Sequence, residues 1–265
     1  MHLGNLTGEI EDWLEKADEE RNIKFIKDFK PNSIQRTVVI EMLGYYGSVD
    51  RMIANEVQKL SQKTEKLAGF FSNYFNEMVQ LLSGEILLPI TILQSQINSQ
   101  NFILTTSSFA IPDIIGYRLA EELYKFYKNQ NVSKIYLLDG AYNFNRNIEK
   151  RPQVHRITSS NLQINVTNKE KANFTLMGQI ASSFLTYWGY KGSIPIEIIV
   201  VDSFSDYDPI SSLELLKVLT AEWGIEGEFS ELERRSREFK QLYRQSSKEI
   251  EAEKSEGDFD SRFFV

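Results

Sequence analysis

Hydrophobic positions along this chain alternate between runs typical of strands and spacings typical of amphipathic helices. Apolar and β-branched runs predict strands at residues 37–43, 85–95, 102–106, 134–138 and 196–201, with shorter ones at 69–72, 154–158 and 162–166. The run at 196–201 is continuously apolar, which predicts a strand buried on both faces. Asn98-Ser99 predicts a hairpin turn, and Asp139-Gly140 is expected to close the strand before it.

Apolar residues at steps of three and four predict helices between these strands, at residues 48–60, 112–129, 178–187 and 208–224. Ser48 is expected to cap the first helix, with Asp50 in its first turn, where a negative charge suits the helix dipole. Asp208-Pro209 is a strong start for the last of these helices, and Gly224 is expected to end it. Its predicted buried face consists of Leu213, Leu216, Leu219 and Trp223.

The repeated alternation of strands and helices predicts an α/β fold, with a mainly parallel or mixed sheet flanked by helices. Residues 1–35 are interpreted as a lead-in, a short helix followed by an extended segment, and residues 36–227 as one core domain. Residues 228–250 form a predicted C-terminal helix, and residues 251–265 a flexible tail. No domain linker interrupts the chain before position 227.

The predicted C-terminal helix has a heptad-like apolar seam. Ser230 and Glu233 have the spacing of a capping box. The seam alternates steps of three and four through Phe229, Leu232, Ser236, Phe239, Tyr243, Ser246 and Ile250. About 22 residues of helix would span about 33 Å. Two alternatives are open: the seam packs on the domain's own sheet, or it packs against another subunit.

Composition excludes several classes of function. The chain has 265 residues, 42% of them hydrophobic, and a net charge of −7, so it has no basic stripe for nucleic acid. It has no cysteine and only two histidines, His2 and His155, which removes disulfides and thiolate metal sites and disfavours histidine-based ones. No signal peptide and no apolar run of about 18 residues is present, which predicts a soluble, cytoplasmic protein without a membrane partner.

Residues suited to catalysis are sparse. Gly44 and Gly47 flank two tyrosines, fit neither a dinucleotide-binding fingerprint nor a phosphate loop, and predict a tight turn. Asp139 and Asp202 follow predicted strands, where ligands of α/β proteins often bind. No nucleophile, base and oxyanion site come together in the sequence, so we expect neither enzymatic activity nor a cofactor or metal. The alternative is a phosphorylase-like or hydrolase-like enzyme that binds a small nucleoside-like ligand at the strand ends.

The last three residues, Phe263-Phe264-Val265, follow a segment of mostly charged and small residues at 251–262. Two adjacent aromatic residues in that position either fold back into a core or insert into a partner. The polar segment is about 40 Å long if fully extended, long enough to act as a tether. The sequence leaves both alternatives open.

Over residues 36–245 the order of these pieces resembles the proteasome assembly chaperone family of archaea and bacteria. The likeness rests on a strand followed by GYYG and a helix, on IPDIIGYRLAEELYKFYKNQNVSKIYLLDG, and on a late glycine-containing helix followed by a strand. Its strongest piece is DPISSLELLKVLTAEWGIEGEFSELERRSREF. The family's first turn is usually richer in glycine and follows a Phe-Pro pair, which this chain lacks. Each motif is moderately specific, and their shared order carries the resemblance.

The resemblance implies a single phosphorylase-like α/β domain without phosphorylase activity, and a homo-oligomer built through helices. A tetramer is favoured, and a trimer and a pentamer stay open as alternatives. On this basis Phe229, Leu232, Phe239 and Tyr243 are the candidate oligomerisation residues. Some family members end in a hydrophobic residue, a tyrosine and any residue, a motif that docks between α-subunits of the 20S proteasome. Phe263, Phe264 and Val265 occupy these positions, with phenylalanine in place of tyrosine. The expected function is an ATP-independent assembly chaperone or proteasome-binding adaptor.

Overall fold

The computed structural model of this protein describes eleven segments of the chain. They cover residues 24–27, 37–44, 48–72, 80–82, 85–108, 111–130, 132–143, 146–160, 163–166, 178–189 and 192–257. The statements below concern these residues. The tyrosine turn at 45–47, most of the lead-in and the last eight residues lie outside them.

A nine-stranded mixed sheet forms the centre of the fold. The described strands are β1 (Lys24–Lys27), β2 (Thr37–Met42), β3 (Lys63–Phe71), β4 (Gln80–Leu82), β5 (Glu85–Leu87), β6 (Ile90–Ile97), β7 (Gln100–Ser107), β8 (Val132–Tyr142), β9 (Val154–Ser160), β10 (Gln163–Val166) and β11 (Ile196–Ser203). Strands β4 and β5 pair with each other in a separate hairpin, and the other nine form the sheet. The order across the sheet is β1-β3-β6-β7-β2-β8-β11-β9-β10. The central β7, β2, β8 and β11 are parallel, and the outer strands pair antiparallel. The predicted α/β class with a mixed sheet is confirmed.

Helices cover both faces of this sheet. They are α1 (Val49–Leu60), α2 (Asp113–Asn129), α3 (Gln179–Ser183), which continues as a π-helical turn (Phe184–Trp188), α4 (Pro209–Trp223) and α5 (Ser230–Gly257). Helices α2 and α3 pack on one face, and α1, α4 and the start of α5 pack on the other. The strand β11 is buried along its whole length, with Ile198 and Val200 in the first layer and Ile199 and Val201 in the second. This confirms the prediction of a strand buried on both faces.

Two boundaries differ from the sequence prediction. The strand β8 does not end at Asp139-Gly140 but continues to Tyr142, since β11 lies parallel to it and pairs Val200 with Asp139 and Val201 with Gly140. The pairing partner overrides the local turn signal. The strand β3 begins at Lys63, in a charged stretch with no strand-like pattern, because β6 supplies its ladder.

The buried face of α4 is rotated from the predicted one. Leu216 and Leu219 are fully buried as expected, whereas Leu213 and Trp223 are half-buried and Leu215 is fully buried. The helix also buries three hydroxyl side chains, those of Ser211, Ser212 and Thr220. Such residues escape a purely apolar pattern, and their hydroxyls bond to nearby backbone carbonyls instead.

The helix α5 begins at Ser230, and the carbonyl of Phe229 accepts a bond from the N–H of Glu233 at 2.8 Å. Phe229 therefore holds the capping position, and the capping box predicted for Ser230 is one residue out of register. The helix continues past position 250, where the predicted tail begins, to Gly257. Its 28 residues span about 42 Å.

Candidate functional site

Three carboxyl groups, those of Glu41, Asp50 and Asp139, are buried near the carboxyl ends of β2 and β8. Their residues are 1%, 2% and 0% exposed. Burial raises the pKa of Glu41 and the pKa of Asp50 well above their usual values, and the nearby charge of Asp139 raises both further. Asp50 lies in the first turn of α1 as predicted, but its burial opposes the charged form that the helix dipole would favour.

Asp139 serves the fold rather than an open site. Its Oδ2 accepts a hydrogen bond from the N–H of Gly178 at 2.6 Å, which fixes the start of α3. A Cβ on Gly44 would come within 2.6 Å of its Oδ1, so the chain after β2 passes too close for any other residue. The adjoining cavity, lined in part by Glu41 and Ile180, measures about 10 Å³, room for one water molecule and no larger ligand.

Tyr127 closes this buried group from the side of α2. Its hydroxyl lies 2.7 Å from the hydroxyl of Thr105 and donates a long bond of 3.5 Å to Oε2 of Glu41. Burial, and then the charge of Glu41, raises the pKa of Tyr127 well above its usual value. These side chains bond to one another within the core, and the described geometry offers a substrate no access to them.

Asp202 belongs to a second buried network, on the neighbouring strand β11. Its side chain accepts a bond from Nδ2 of Asn143 at 3.0 Å and lies 3.2 Å from Nε2 of the fully buried His155. Its backbone carbonyl accepts bonds from Arg146 at 3.0 Å and from the hydroxyl of Ser211 at 2.6 Å. Asp202 therefore joins β9, α4 and the loop after β8, and it shares no site with Asp139.

A buried ion pair between Arg146 and Asp208 completes this network. Both side chains are inaccessible, 4% and 0% exposed, and Asp208 also accepts a bond from the N–H of Ser211 at 3.0 Å as the cap of α4. The cap and Pro209 confirm the predicted helix start. Sequence reasoning missed Arg146, because an arginine in a polar loop carries no local sign of a partner 62 positions away.

Neither strand-end aspartate lines the two cavities found among the described residues. A groove of about 460 Å³ lies instead between α1 and α5, and its lining residues are Met52, Asn55, Glu56, Gln58, Lys59, Leu232 and Arg235.

Ser48, the expected cap of α1, makes no capping bond; it donates to the carbonyl of Asp206 at 2.9 Å. Among the described residues, no three histidine, aspartate or glutamate side chains are placed to bind a metal. The described geometry thus favours a structural role for both aspartates.

The apolar seam of α5 changes its surroundings along the helix. Phe229 and Leu232, 8% and 2% exposed, belong to the core of the same domain. Phe239 is half-buried, with its ring 5.7 Å from that of Phe204. Tyr243 is 42% exposed and meets Phe204 edge-on at 5.2 Å. The first part of the seam therefore packs on its own domain, as the first alternative states, and the later part reaches the surface.

The stretch of α5 around Tyr243 is exposed at its surface. Residues 241–246 are all exposed, and Leu242 reaches 61%. The predicted docking residues Phe263, Phe264 and Val265 lie outside the described residues. No helix in the described segments is long and apolar enough to cross a bilayer.

Comparisons with known proteins place these features in a family. The model of the PAC2 family matches residues 53–246. A search of curated proteins found no match. Among solved structures, PbaB of Pyrococcus furiosus, described as an archaeal proteasome activator, aligns with a TM-score of 0.69 at 16% identity, over 86% of this chain and 99% of its own.

Two further structures share the fold. PbaA of Pyrococcus furiosus, described as an archaeal homolog of proteasome-assembly chaperone, has a TM-score of 0.64 at 16% identity, over 91% of this chain and 99% of its own. The proteasome-assembly chaperone homologue Rv2125 of Mycobacterium tuberculosis has a TM-score of 0.60 at 13% identity, over 79% of this chain and 94% of its own. At these identities the likeness establishes the fold.

Proposed function

This chain belongs to the PAC2 family, and from that premise we propose that it is a non-enzymatic, ATP-independent proteasome assembly chaperone or proteasome-binding adaptor or activator. Its partner in this proposal is the 20S proteasome, and its location is the cytoplasm. The resemblance of residues 36–245 to proteasome assembly chaperones and the family match both support it.

The observation that carries the proposal is the course of α5. The helix starts in the core, directly after Phe229 and with Leu232 in its first turn, and runs for 28 residues. Its side chains from position 241 to 246 are exposed. It leads toward the Phe263-Phe264-Val265 segment. A helix fixed in the core at one end supports the delivery of that segment to a pocket between 20S α-subunits.

Self-association is a second part of the proposal. We infer a homo-oligomer, a tetramer in preference to a trimer or pentamer, built through α5. Phe229 and Leu232 are occupied within their own domain, so the surface available to a second copy centres on Tyr243 and the neighbouring Leu242. Several tails on one oligomer would raise the avidity for a ring of equivalent pockets.

Removal of Phe263-Phe264-Val265 tests the docking proposal. We expect the truncated protein to lose most of its binding to purified 20S particles, measured by surface plasmon resonance, while its circular dichroism spectrum stays unchanged. A matched control deletes the three polar residues Asp260, Ser261 and Arg262 and keeps the terminal triad, which should preserve binding. Equal binding by the truncated and intact proteins would contradict tail docking.

A substitution that introduces tyrosine at the second position of the terminal triad should strengthen binding to 20S particles. Phe264→Tyr adds a hydroxyl where the resemblance implies one, and a net hydrogen bond of about 1 kcal/mol corresponds to about fivefold tighter binding. Phe263→Tyr, which adds the same hydroxyl one position earlier, is the control and should give no gain. The same binding assay measures both.

The alternative, an enzyme that binds a small nucleoside-like ligand, rested on Asp139 and Asp202. Both are buried and hydrogen-bonded within the fold. No specific feature of the described residues favours it over the proteasome-binding function.

A further inference from the structure

The loop after β8 makes a cross-contact with α5 that the family assignment does not explain. Glu149 on this loop accepts two parallel bonds from Arg244, from Nε to Oε1 and from Nη2 to Oε2, each of 2.7 Å. Lys240, one helical turn earlier, pairs with its Oε2 at 2.9 Å. One carboxylate thus joins two cations of the helix to a loop 95 positions away. We call these three residues the Glu149 clasp.

The loop that carries Glu149 is itself firmly held. The N–H of Glu149 donates to the side chain of Asn147 at 2.8 Å, and the N–H of Lys150 donates to the carbonyl of Asn147 at 3.0 Å. Arg146, at the start of the loop, is locked into the buried ion pair with Asp208. The clasp therefore attaches α5 to a loop that Arg146 anchors in the buried network of the domain.

The Glu149 clasp consists of ion pairs at the protein surface. Its side chains are 45% exposed for Glu149, 31% for Lys240 and 55% for Arg244. Hydrogen bonds from Arg244, and then from Lys240, lower the pKa of Glu149 to about 2, so the carboxylate is ionised at any physiological pH. Exposed ion pairs are individually weak and are screened by salt, so high salt should release this contact. Two cations on one carboxylate are expected to bias the position of the helix at low salt.

A nearby apolar contact acts on the same stretch of helix by a different force. Phe204 packs against Phe239 and Tyr243, and the guanidinium of Arg146 lies 5.3 Å from the centre of its ring. Salt that screens the clasp leaves this contact in place. The two contacts together fix α5 as far as Arg244, and the helix continues from there to Gly257.

We propose that Glu149 is a positioning residue: the clasp holds residues 241–257 of α5 in one direction relative to the domain and so aims the chain that follows. The inference rests on the proposed function for its biological meaning. With the clasp closed, the tail reaches its partner from a fixed direction, and less conformational freedom is lost on binding. With the clasp open, the same tail searches a wider range of directions.

The direct test measures the helix without any partner. Amide hydrogen exchange of residues 241–257 is compared between the intact protein and Glu149→Gln at about 0.05 M and about 1 M salt. At low salt we expect exchange about threefold to tenfold faster in Glu149→Gln. At high salt the intact protein should approach the variant. Equal exchange rates of the two proteins at low salt would overturn the proposal.

The chain supplies its own matched control in Glu231. Glu231 also pairs with two cations, Arg234 and Arg235, and its pKa is likewise lowered to about 2, but all three residues lie on α5. Glu231→Gln removes an equal charge and two pairs within the helix, about ten residues before the stretch that is measured, so exchange at 241–257 should not change. An effect as large as that of Glu149→Gln would assign the change to helix stability and refute positioning.

Two further experiments distinguish a released clasp from a general loss of stability: a charge reversal that can be rescued, and a distance measurement between α1 and α5. Glu149→Arg should accelerate exchange, and combining it with Lys240→Glu and Arg244→Glu should restore the slow rate. Because the chain has no cysteine, spin labels on Asn55→Cys and Ser246→Cys report one distance, which should broaden in Glu149→Gln and stay narrow in Glu231→Gln. An unchanged distance distribution in Glu149→Gln would refute the clasp.

Binding to 20S particles separates this inference from the proposed function. If both hold, Glu149→Gln binds several-fold more weakly than the intact protein, and the tail deletion binds weaker still. If exchange responds but neither variant alters binding, the clasp stands and tail docking fails. If the tail deletion abolishes binding but Glu149→Gln leaves exchange unchanged, docking stands and the clasp fails. Tighter binding by Glu149→Gln would contradict a positioning role.

Discussion

At the scale of residues, the buried acids Glu41 and Asp50 are the most unusual feature of this protein. Both lie inside the fold, and the described contacts leave Oε1 of Glu41 and Oδ1 of Asp50 without a hydrogen-bond partner. Burial and the charge of Asp139 raise the pKa of each, and for Asp50 they outweigh the lowering effect of the neighbouring Arg51. The folded protein therefore favours their protonated forms.

This arrangement predicts how stability depends on pH. In the unfolded chain glutamate and aspartate titrate near about 4.3 and 3.9, below their folded pKa values. Their contribution to stability is thus fully present below about pH 4 and is lost as the pH rises through the raised folded pKa. Glu41→Gln should remove the contribution of Glu41 to this pH dependence, because an amide does not titrate. The amide oxygen still offers Tyr127 a hydrogen-bond acceptor.

Urea unfolding at about pH 5 and about pH 8 measures the effect. The free energy of unfolding of Glu41→Gln relative to the unmodified protein should rise between these pH values, because only the unmodified protein loses the contribution of Glu41 as the pH rises. Glu228→Gln, at an exposed position between α4 and α5, should follow the pH dependence of the unmodified protein. Parallel curves for Glu41→Gln and the unmodified protein would show that Glu41 is ionised in the fold.

At the scale of elements, the turn of the β6–β7 hairpin lies at Asn98-Ser99, where the sequence predicts it. Asn98 and Ser99 form the turn and have positive φ angles of 47° and 63°. These are the angles of a tight type I′ turn, in which the second position favours glycine. Asn98 also donates to the carbonyl of Gly224 at 3.2 Å, so the turn supports the end of α4.

The strain at the second turn position predicts a stabilising substitution. Ser99→Gly should raise the free energy of unfolding by about 1 kcal/mol, because glycine adopts the left-handed conformation without a Cβ clash. Ser99→Ala keeps the Cβ and should give no gain. Chemical denaturation of the three proteins checks this, and a loss of stability in Ser99→Gly would show that flexibility of the unfolded chain outweighs the relief of strain.

At the scale of the whole molecule, the exposed apolar residues of α5 lead to a prediction about self-association. Leu242 is 61% exposed on the helix proposed to join subunits, so Leu242→Glu should shift the sedimentation profile toward smaller species without changing the circular dichroism spectrum. Ile114→Glu, at a site on α2 that is 72% exposed, is the matched control. A single monomeric species of the unmodified protein at all concentrations would contradict self-association, and dissociation by Ile114→Glu would contradict the role of α5.

Much of the fold could be predicted from the sequence because its signals are local. The apolar run of β11, the Asp208-Pro209 start of α4 and its end at Gly224 appear where the sequence places them. Each depends on near neighbours: continuous burial, a cap with a proline behind it, and a glycine with φ 61°. The β8 boundary at Asp139 was wrong because it depends on a partner strand more than fifty residues away.

The candidate site was less predictable. Asp139 and Asp202 were selected by their position after predicted strands, but their buried partners Gly178, Asn143 and His155 come from other parts of the chain. Arg146 and Glu149 have no motif that distinguishes them from other loop charges. Their roles follow from contacts with Asp208 and with Arg244, which only the folded chain brings within reach.

The sequence by itself determined the α/β class, the order of most elements and the resemblance to proteasome assembly chaperones, since periodicity, caps and collinear motifs are properties of neighbouring residues. The tertiary structure decided which carboxylates are buried, where the strands end and how α5 divides between core and surface. These properties depend on burial and on pairs of residues far apart in the chain, and a one-dimensional pattern does not encode which distant side chain neutralises a charge or fills a layer.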